Sequence, residues 1–442
     1  MRNRVIILTV GVVATLLGMV STGLPRPGST SGAAPALPAS TIQLPAGWPS
    51  IFPIGVSQGL GDASEFHDSA PVTLRYQYLA GGVNTGAGWT NWSPDASFVT
   101  HYIAESRAVG AIPVFTYYMM LQSAPGSAGP EQQRVQVNAQ NPETMRAYYD
   151  DLLLLFQRIG LDGQPVVLHL EPDLWGFMQQ RAGGQSATRI PVAVRSSGAE
   201  AMADLPDSLA GFAQGIARLR DHHAPNVLLA YHVSVWGTGT DILRSKPSEA
   251  TIDSLANDAA TFYESLGVPF DLLFSEFSDR DAAFKEHVYG DRGSSWWRAD
   301  DHQRHGRFLG RISQRTERGI VLWQIPVGHT RLRAMNNTWG HYQDTLAEWL
   351  LDDSDGTHIQ AYRDAGVIGL LFGPGTAGVT CYCDGVGDGL TNPEPINGKN
   401  EESLSDDDDG GFLRARLAAY FASGGLPMRS TQTQPIPGTL RP

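Results

Sequence analysis

Cysteine is nearly absent from this chain: two residues of 442, Cys381 and Cys383. One intervening residue is too little for an ordinary bridge, and no further zinc ligands accompany the pair. Disulfides therefore do not build the fold, and stability must come from a large apolar core. Runs of Lys and Arg are missing beyond the N-terminus, and the net charge is −13. Nucleic acid and anionic membrane surfaces are accordingly excluded as partners, beyond whatever the N-terminus does for export. No Gly-x-Ser-x-Gly elbow occurs, which argues against an esterase. No His-Glu-x-x-His occurs, and His302, His305, His329 and His341 lack metal-ligand spacing. A glycine-rich phosphate loop is lacking too, Gly59-Leu60-Gly61-Asp62 being too short a match. Solenoid-type repeats are also absent.

What is present begins with an address. Arg2 and Arg4 precede an apolar run from Val5 to Val20, then Ser21-Thr22-Gly23, then a Pro/Ser/Gly/Ala tract. That order is the pattern of a secretory signal, and the run is short of the ~20 residues of a permanent span. The expected organisation is a signal peptide over 1–23, a linker over 24–40, a folded domain over 41–425 and a disordered tail over 426–442. Secreted or extracytoplasmic placement follows, an uncleaved anchor being the alternative.

Through the folded domain, short apolar runs alternate with segments of helical period. The strand candidates are Phe52–Ser57, Thr73–Leu79, Ile112–Tyr118, Val166–Glu171, Val227–Ser234, Asp271–Glu276, Ile320–Ile325 and Val367–Phe372. Near-continuous apolar runs suit strands covered on both faces. The helices read between them include one opened by Asn141-Pro142-Glu143, one from Ser208 to His222, one from Ala299 to Arg318 and one from Trp339 to Leu351. The connection from Gly59 to Ala70 reads as too short for a helix. Eight βα units predict a single α/β domain, a (β/α)₈ barrel with long loops after strands four and eight.

The candidate chemistry sits at strand ends. Strand four runs into Glu171-Pro172-Asp173, and period two puts His169 and Glu171 on one face with Asp173 continuing it. An acid closing an apolar strand is costly unless it has partners or a task. Strand six ends in Glu276, followed by Asp279 and Asp281, for which pairing with Arg280 or helix capping is the plainer role. Glu171 and Glu276, two strands apart, can converge across the mouth as the carboxylate pair of glycoside hydrolysis. Glu171, Glu276 and Asp173 are thus the catalytic candidates. Trp175, Trp236, His169, His232, Tyr118, Gln324 and Asp279 are the candidates for binding a sugar, indole faces suiting the C–H face of a pyranose. For a single Trp, packing a helix on the barrel is an equally good account.

Leu170-Glu171-Pro172 resembles the Asn-Glu-Pro strand-four signature of the large clan of retaining barrel glycosidases, which would make Glu171 the acid/base. Leu170 stands in place of the asparagine, and Gln324 stands where that clan keeps its strand-seven nucleophile. Glu276 then becomes the candidate base or nucleophile. Leu170–Leu174 is also similar to the Glu-Pro-Asp strand of family 6 cellulases, although Phe115–Gln122 offers no counterpart to that family's general-acid aspartate. The resemblance implies a (β/α)₈ glycoside hydrolase acting on a polysaccharide or oligosaccharide. Two alternatives stay open: a non-catalytic carbohydrate-binding barrel, which Gln324 favours, and a metal-dependent hydrolase using Glu171, Asp173 and Glu276. No cofactor is expected. A partial calcium-loop pattern at Asp384, Asp388 and Asn392 is broken by Val386 and Pro395.

Overall fold

The computed structural model describes residues 42–93, 95–277, 280–333, 342–353, 355–373 and 409–429, together with residues 384, 387, 389–391 and 394. The expected strands all form: β1 Ile54–Ser57, β2 Leu74–Ala80, β3 Ile112–Tyr118, β4 Val166–Leu170, β5 Val227–His232, β6 Leu272–Glu276, β7 Ile320–Pro326 and β8 Val367–Gly373. Each pairs in parallel with its sequence neighbour, and β8 returns to β1, closing the barrel. Their apolar runs bury one face against an interior core and the other against the helical layer.

Side chains alternate accordingly. On β4, Val167 belongs to the interior cluster while Val166 and Leu168 face the helices. Leu74 and Tyr76 on β2, Ala230 on β5, Phe274 on β6 and Val321 and Trp323 on β7 fill the interior with Val167. Ile42, Leu44 and Trp48 join that cluster, and the Trp48 indole N–H donates to the Ile368 carbonyl at 3.0 Å. The preceding coil thus stoppers the barrel.

The helical layer follows its start signals. Asn141 accepts from the Thr144 amide and opens Pro142–Gly160; Ser208 does the same from Gly211 for Leu209–His223. Three expectations need correction. The β1–β2 connection does hold a helix, Ala63–Ser69, two turns long and opened after Asp62. The exit from β4, expected to run on as loop through Asp173, is a helix, Pro172–Ala182, because proline at its first position is preset for one. The tail does not begin at 426: Leu426 accepts from the Phe52 amide at 2.7 Å, Met428 donates to the Ser50 carbonyl at 2.8 Å, and Pro427 bridges Ile51. The expected signal, the linker, Asp279, Trp339, His341, Cys381, Cys383, Asp388 and Asn392 lie outside the described residues. Asp384 accepts from the Gly387 and Gly389 amides at 2.8 and 2.9 Å.

Candidate active site

Strand β4 does not hand its alternation on. Glu171 has φ 45° and ψ 65°, a left-handed conformation that non-glycine residues seldom adopt. Its side chain is consequently turned onto the loop leaving β3. There Oε1 accepts from the Met119 and Met120 amides, each at 3.1 Å, and Oε2 from Met120 at 3.2 Å. The residue is 1% exposed. Asn138 completes the same loop, its amide donating to the Met120 and Ser123 carbonyls at 2.8 Å. Burial pushes the Glu171 carboxyl up to about 8; the two amides and the Tyr148 hydroxyl oppose that rise, and the charge of Asp173 adds to it. Glu171 therefore has the protonation asked of an acid. The expectation that it shares the face of His169 and converges on Glu276 is not met, because the left-handed turn redirects it.

Asp173 takes the mouth instead. It lies in the first turn of Pro172–Ala182, where a carboxylate is favoured by the helix dipole. The Tyr118 hydroxyl, from the end of β3, donates to it at 2.5 Å. Burial first, then the nearby Asp173 charge, hold the Tyr118 phenol well above its usual value; burial, then Tyr76, then Asp173 do the same at Tyr78, where Arg280 opposes them.

Across the interior runs a chain of hydrogen bonds. Thr116 and His169 are register partners on β3 and β4. The Thr116 hydroxyl lies 3.3 Å from His169 Nδ1, His169 Nε2 lies 3.0 Å from His232 Nδ1, and His232 Nε2 lies 2.5 Å from Glu276 Oε2. Burial, then the neighbouring His232, hold the His169 imidazole well below its ordinary value, so it is neutral. Ala230, the small register partner of His169 on β5, leaves its ring room to stack on Phe274, centroids 4.2 Å apart. Trp323 meets His169 edge-on at 4.8 Å, His232 at 5.8 Å and Tyr78 at 5.8 Å. Tyr78, Trp323 and the two histidines make an aromatic floor, with Asp173 and Glu276 above it. Asp241, next along from Glu276, caps a short helix through the Leu243 and Arg244 amides.

Of the expected binding residues, Tyr118, His169 and His232 are at this site. Gln324 ends the same floor, at φ 56° and half-buried in a β-bulge of β7. Trp175 is not there. It is fully buried between barrel and helices, donates to the Leu170 carbonyl at 2.8 Å and packs on Tyr231 at 5.0 Å. Placing it at the rim assumed a loop where a helix begins. Trp236 is half-buried and packs on Phe177 of that helix at 5.0 Å. Trp89, which donates to Asp151, and Trp297, which meets Phe277 and His302 at a tilt and His305 edge-on, are likewise packing residues. The tryptophan that reached the floor, Trp323, was passed over, although alternation from Val321 points it inward. Among the described residues no three His, Cys, Asp or Glu side chains are grouped as a metal would need.

No family model matches the chain, and no curated protein matches it. Solved structures do. The family 1 β-glucosidase from Thermotoga maritima has 10% identity over 87% of this chain and all of its own, with TM-score 0.47. The GH53 catalytic domain of Ignisphaera aggregans has 11% identity over 87% of this chain and 99% of its own, with TM-score 0.42. A variant of the Humicola insolens cellobiohydrolase Cel6A has 13% identity over 59% and 64%, with TM-score 0.33. The eight-stranded barrel itself rests on the closed strand register, not on these likenesses.

Proposed function

We propose that the chain is an exported glycoside hydrolase that cleaves a polysaccharide or oligosaccharide with the mouth carboxylates Asp173 and Glu276. The observation that carries the reading is their placement. Each has a hydrogen-bond partner, the Tyr118 hydroxyl for Asp173 and His232 Nε2 for Glu276, beside a floor of aromatic rings. Glycosyl transfer needs one carboxylic acid to protonate the leaving oxygen and one carboxylate to act as base or nucleophile. Glu276 is assigned the second role and Asp173, the carboxyl presented to the mouth, the first, for which the bound substrate must displace water and so leave protonated what is a carboxylate in the free site. Glu171 supports them from behind, as a protonated group that anchors the β3 loop. This departs from the acid role first expected of Glu171, because its oxygens face backbone amides rather than the mouth. The flat faces and polar edges of Tyr78 and Trp323 suit a pyranose ring. Export rests on the N-terminal charged, apolar and small-residue order, and places the substrate outside the cytoplasm.

The test is reducing-end release from a panel of polysaccharides. Wild type should release sugar from one of them, and Glu276→Gln and Asp173→Asn should each lose at least 10²–10⁴-fold in kcat. Glu171→Gln should lose far less wherever it folds. A wild-type chain that binds a polysaccharide and releases nothing would move the reading to a non-catalytic carbohydrate-binding barrel.

A further inference from the structure

We propose that Thr116, His169 and His232 are positioning residues for Glu276: a one-way chain of donors, rooted in the barrel interior, that presents Glu276 as an oriented carboxylate. The catalytic use of that carboxylate rests on the function proposed above; the polarity of the chain does not. The argument counts hydrogens. Each neutral imidazole has one N–H and one bare nitrogen. Thr116 and His169 are 0% exposed and His232 is 2% exposed, so water does not complete their bonding. Among the described residues, the hydrogen-bond partner of the Thr116 hydroxyl is His169 Nδ1.

If Thr116 donates to His169 Nδ1, the His169 hydrogen is on Nε2 and points at His232 Nδ1. That nitrogen is then bare, the His232 hydrogen is on Nε2, and Glu276 receives it. Every hydrogen has an acceptor. With the opposite polarity, His169 Nδ1 donates to Thr116, and the hydroxyl hydrogen of Thr116 is left buried without an acceptor. Such a group has given up its hydrogen bond to water and gained none in return. The buried hydroxyl on β3 and the acceptor-only carboxylate at the tip of β6 thereby demand the same tautomers of the two histidines on β4 and β5, Nε2–H on both. The rings are also sterically fixed, His169 between Phe274 and the edge of Trp323, His232 against Trp323. Glu276 is thus aimed by three neighbouring strands rather than by a mobile loop.

The experiment is nitrogen NMR of the full chain labelled with ¹⁵N-histidine, which reports for each ring which nitrogen carries the hydrogen. His232→Gln and His169→Gln spectra assign the two rings. The expected wild-type result near neutral pH is Nε2–H with bare Nδ1 on both. Thr116→Val, nearly isosteric but without the hydroxyl, should keep both Nε2–H tautomers, which the Glu276 end still demands, and move the bare His169 Nδ1 resonance away from its hydrogen-bonded position; Thr116→Ser should restore it. An Nδ1–H on either ring of the wild type overturns the proposal, as does a Thr116→Val spectrum identical to wild type. The wild-type spectrum decides even if the variant does not fold. Locked Nε2–H tautomers without reducing-end release would leave the chain standing and remove the hydrolase; release with Nδ1–H tautomers would do the reverse.

Discussion

Glu171 combines a left-handed backbone, complete burial and a proton held to about pH 8, and the three have one cause. Proline at 172 starts a helix at once, so the residue before it must turn sharply out of β4. That turn carries the carboxyl into a pocket of backbone amides, with too little compensation for a charge. The effect on stability has a definite sign. Between the ordinary glutamate value of 4.5 and about 8, the folded chain keeps a proton that the unfolded chain has lost. Stability from this group is complete at low pH and is lost as pH rises through that window, on the order of a few kcal/mol in all. Glu171→Gln keeps a neutral acceptor for the Met119 and Met120 amides and has no proton to lose. Denaturant midpoints measured at pH 5 and pH 8 should therefore differ less in Glu171→Gln than in wild type. Parallel profiles would show that Glu171 is charged in the folded protein. None of this was legible in the primary sequence: period two extended through Glu171 puts it on the wrong face, and only the backbone angle reveals the error.

Element existence was far more legible than side-chain direction. The eight strands are continuous apolar runs bounded by turn residues, and burial on both faces leaves such runs few alternatives. What failed were the exits. Reading the exit from β4 as loop put Trp175 on the rim, whereas at the fourth position of a helix it turns back onto Leu170 and Tyr231. Strand β7 shows the opposite failure, since Trp323 points inward by plain alternation and was given no role. The bulge after it holds Gln324 at φ 56°. A left-handed non-glycine residue at the mouth of a barrel stores about 1–2 kcal/mol of strain. In Gln324→Gly that strain is released, partly offset by glycine's greater freedom in the unfolded chain. The expected outcome is stability unchanged or raised by up to about 1 kcal/mol, together with weaker binding of whichever polysaccharide the panel identifies. Calorimetric unfolding and a binding isotherm on the same variant read both quantities. Loss of stability above about 1 kcal/mol would mean that the Gln324 side chain serves packing instead.

At the scale of the whole molecule the barrel has two unlike ends. The carboxylates, the aromatic floor and the left-handed residues Glu171 and Gln324 belong to the C-terminal strand ends, the functional face of such barrels. The other end is sealed by the two segments that flank the barrel: the 42–48 stopper with its Trp48–Ile368 bond, and the segment 426–429. That segment pairs with Ser50–Phe52, accepts from Arg363 through the Pro427 carbonyl at 2.8 Å, and pairs Arg429 with Asp364 at 2.6 Å. It was read from sequence as the start of a disordered tail because Pro, Met and Arg carry no periodicity. Its tie is backbone pairing to a distant segment, which local pattern cannot reveal. Truncation after Gly425 removes two backbone hydrogen bonds, the Leu426 amide bond to the Tyr420 hydroxyl, the Arg363–Pro427 bond, the Arg429–Asp364 pair and the partial burial of Leu426 and Met428, on the order of 5 kcal/mol together. Truncation after Ser430 keeps all of them and should leave unfolding unchanged. Because the lost contacts are at the face opposite the mouth, the Gly425 truncation at 25 °C should retain the substrate affinity and turnover of its folded fraction while its denaturant midpoint falls. Equal midpoints for the two truncations would show that the segment contributes nothing to the seal. A drop in turnover per folded molecule would show instead that the two ends of the barrel are mechanically coupled.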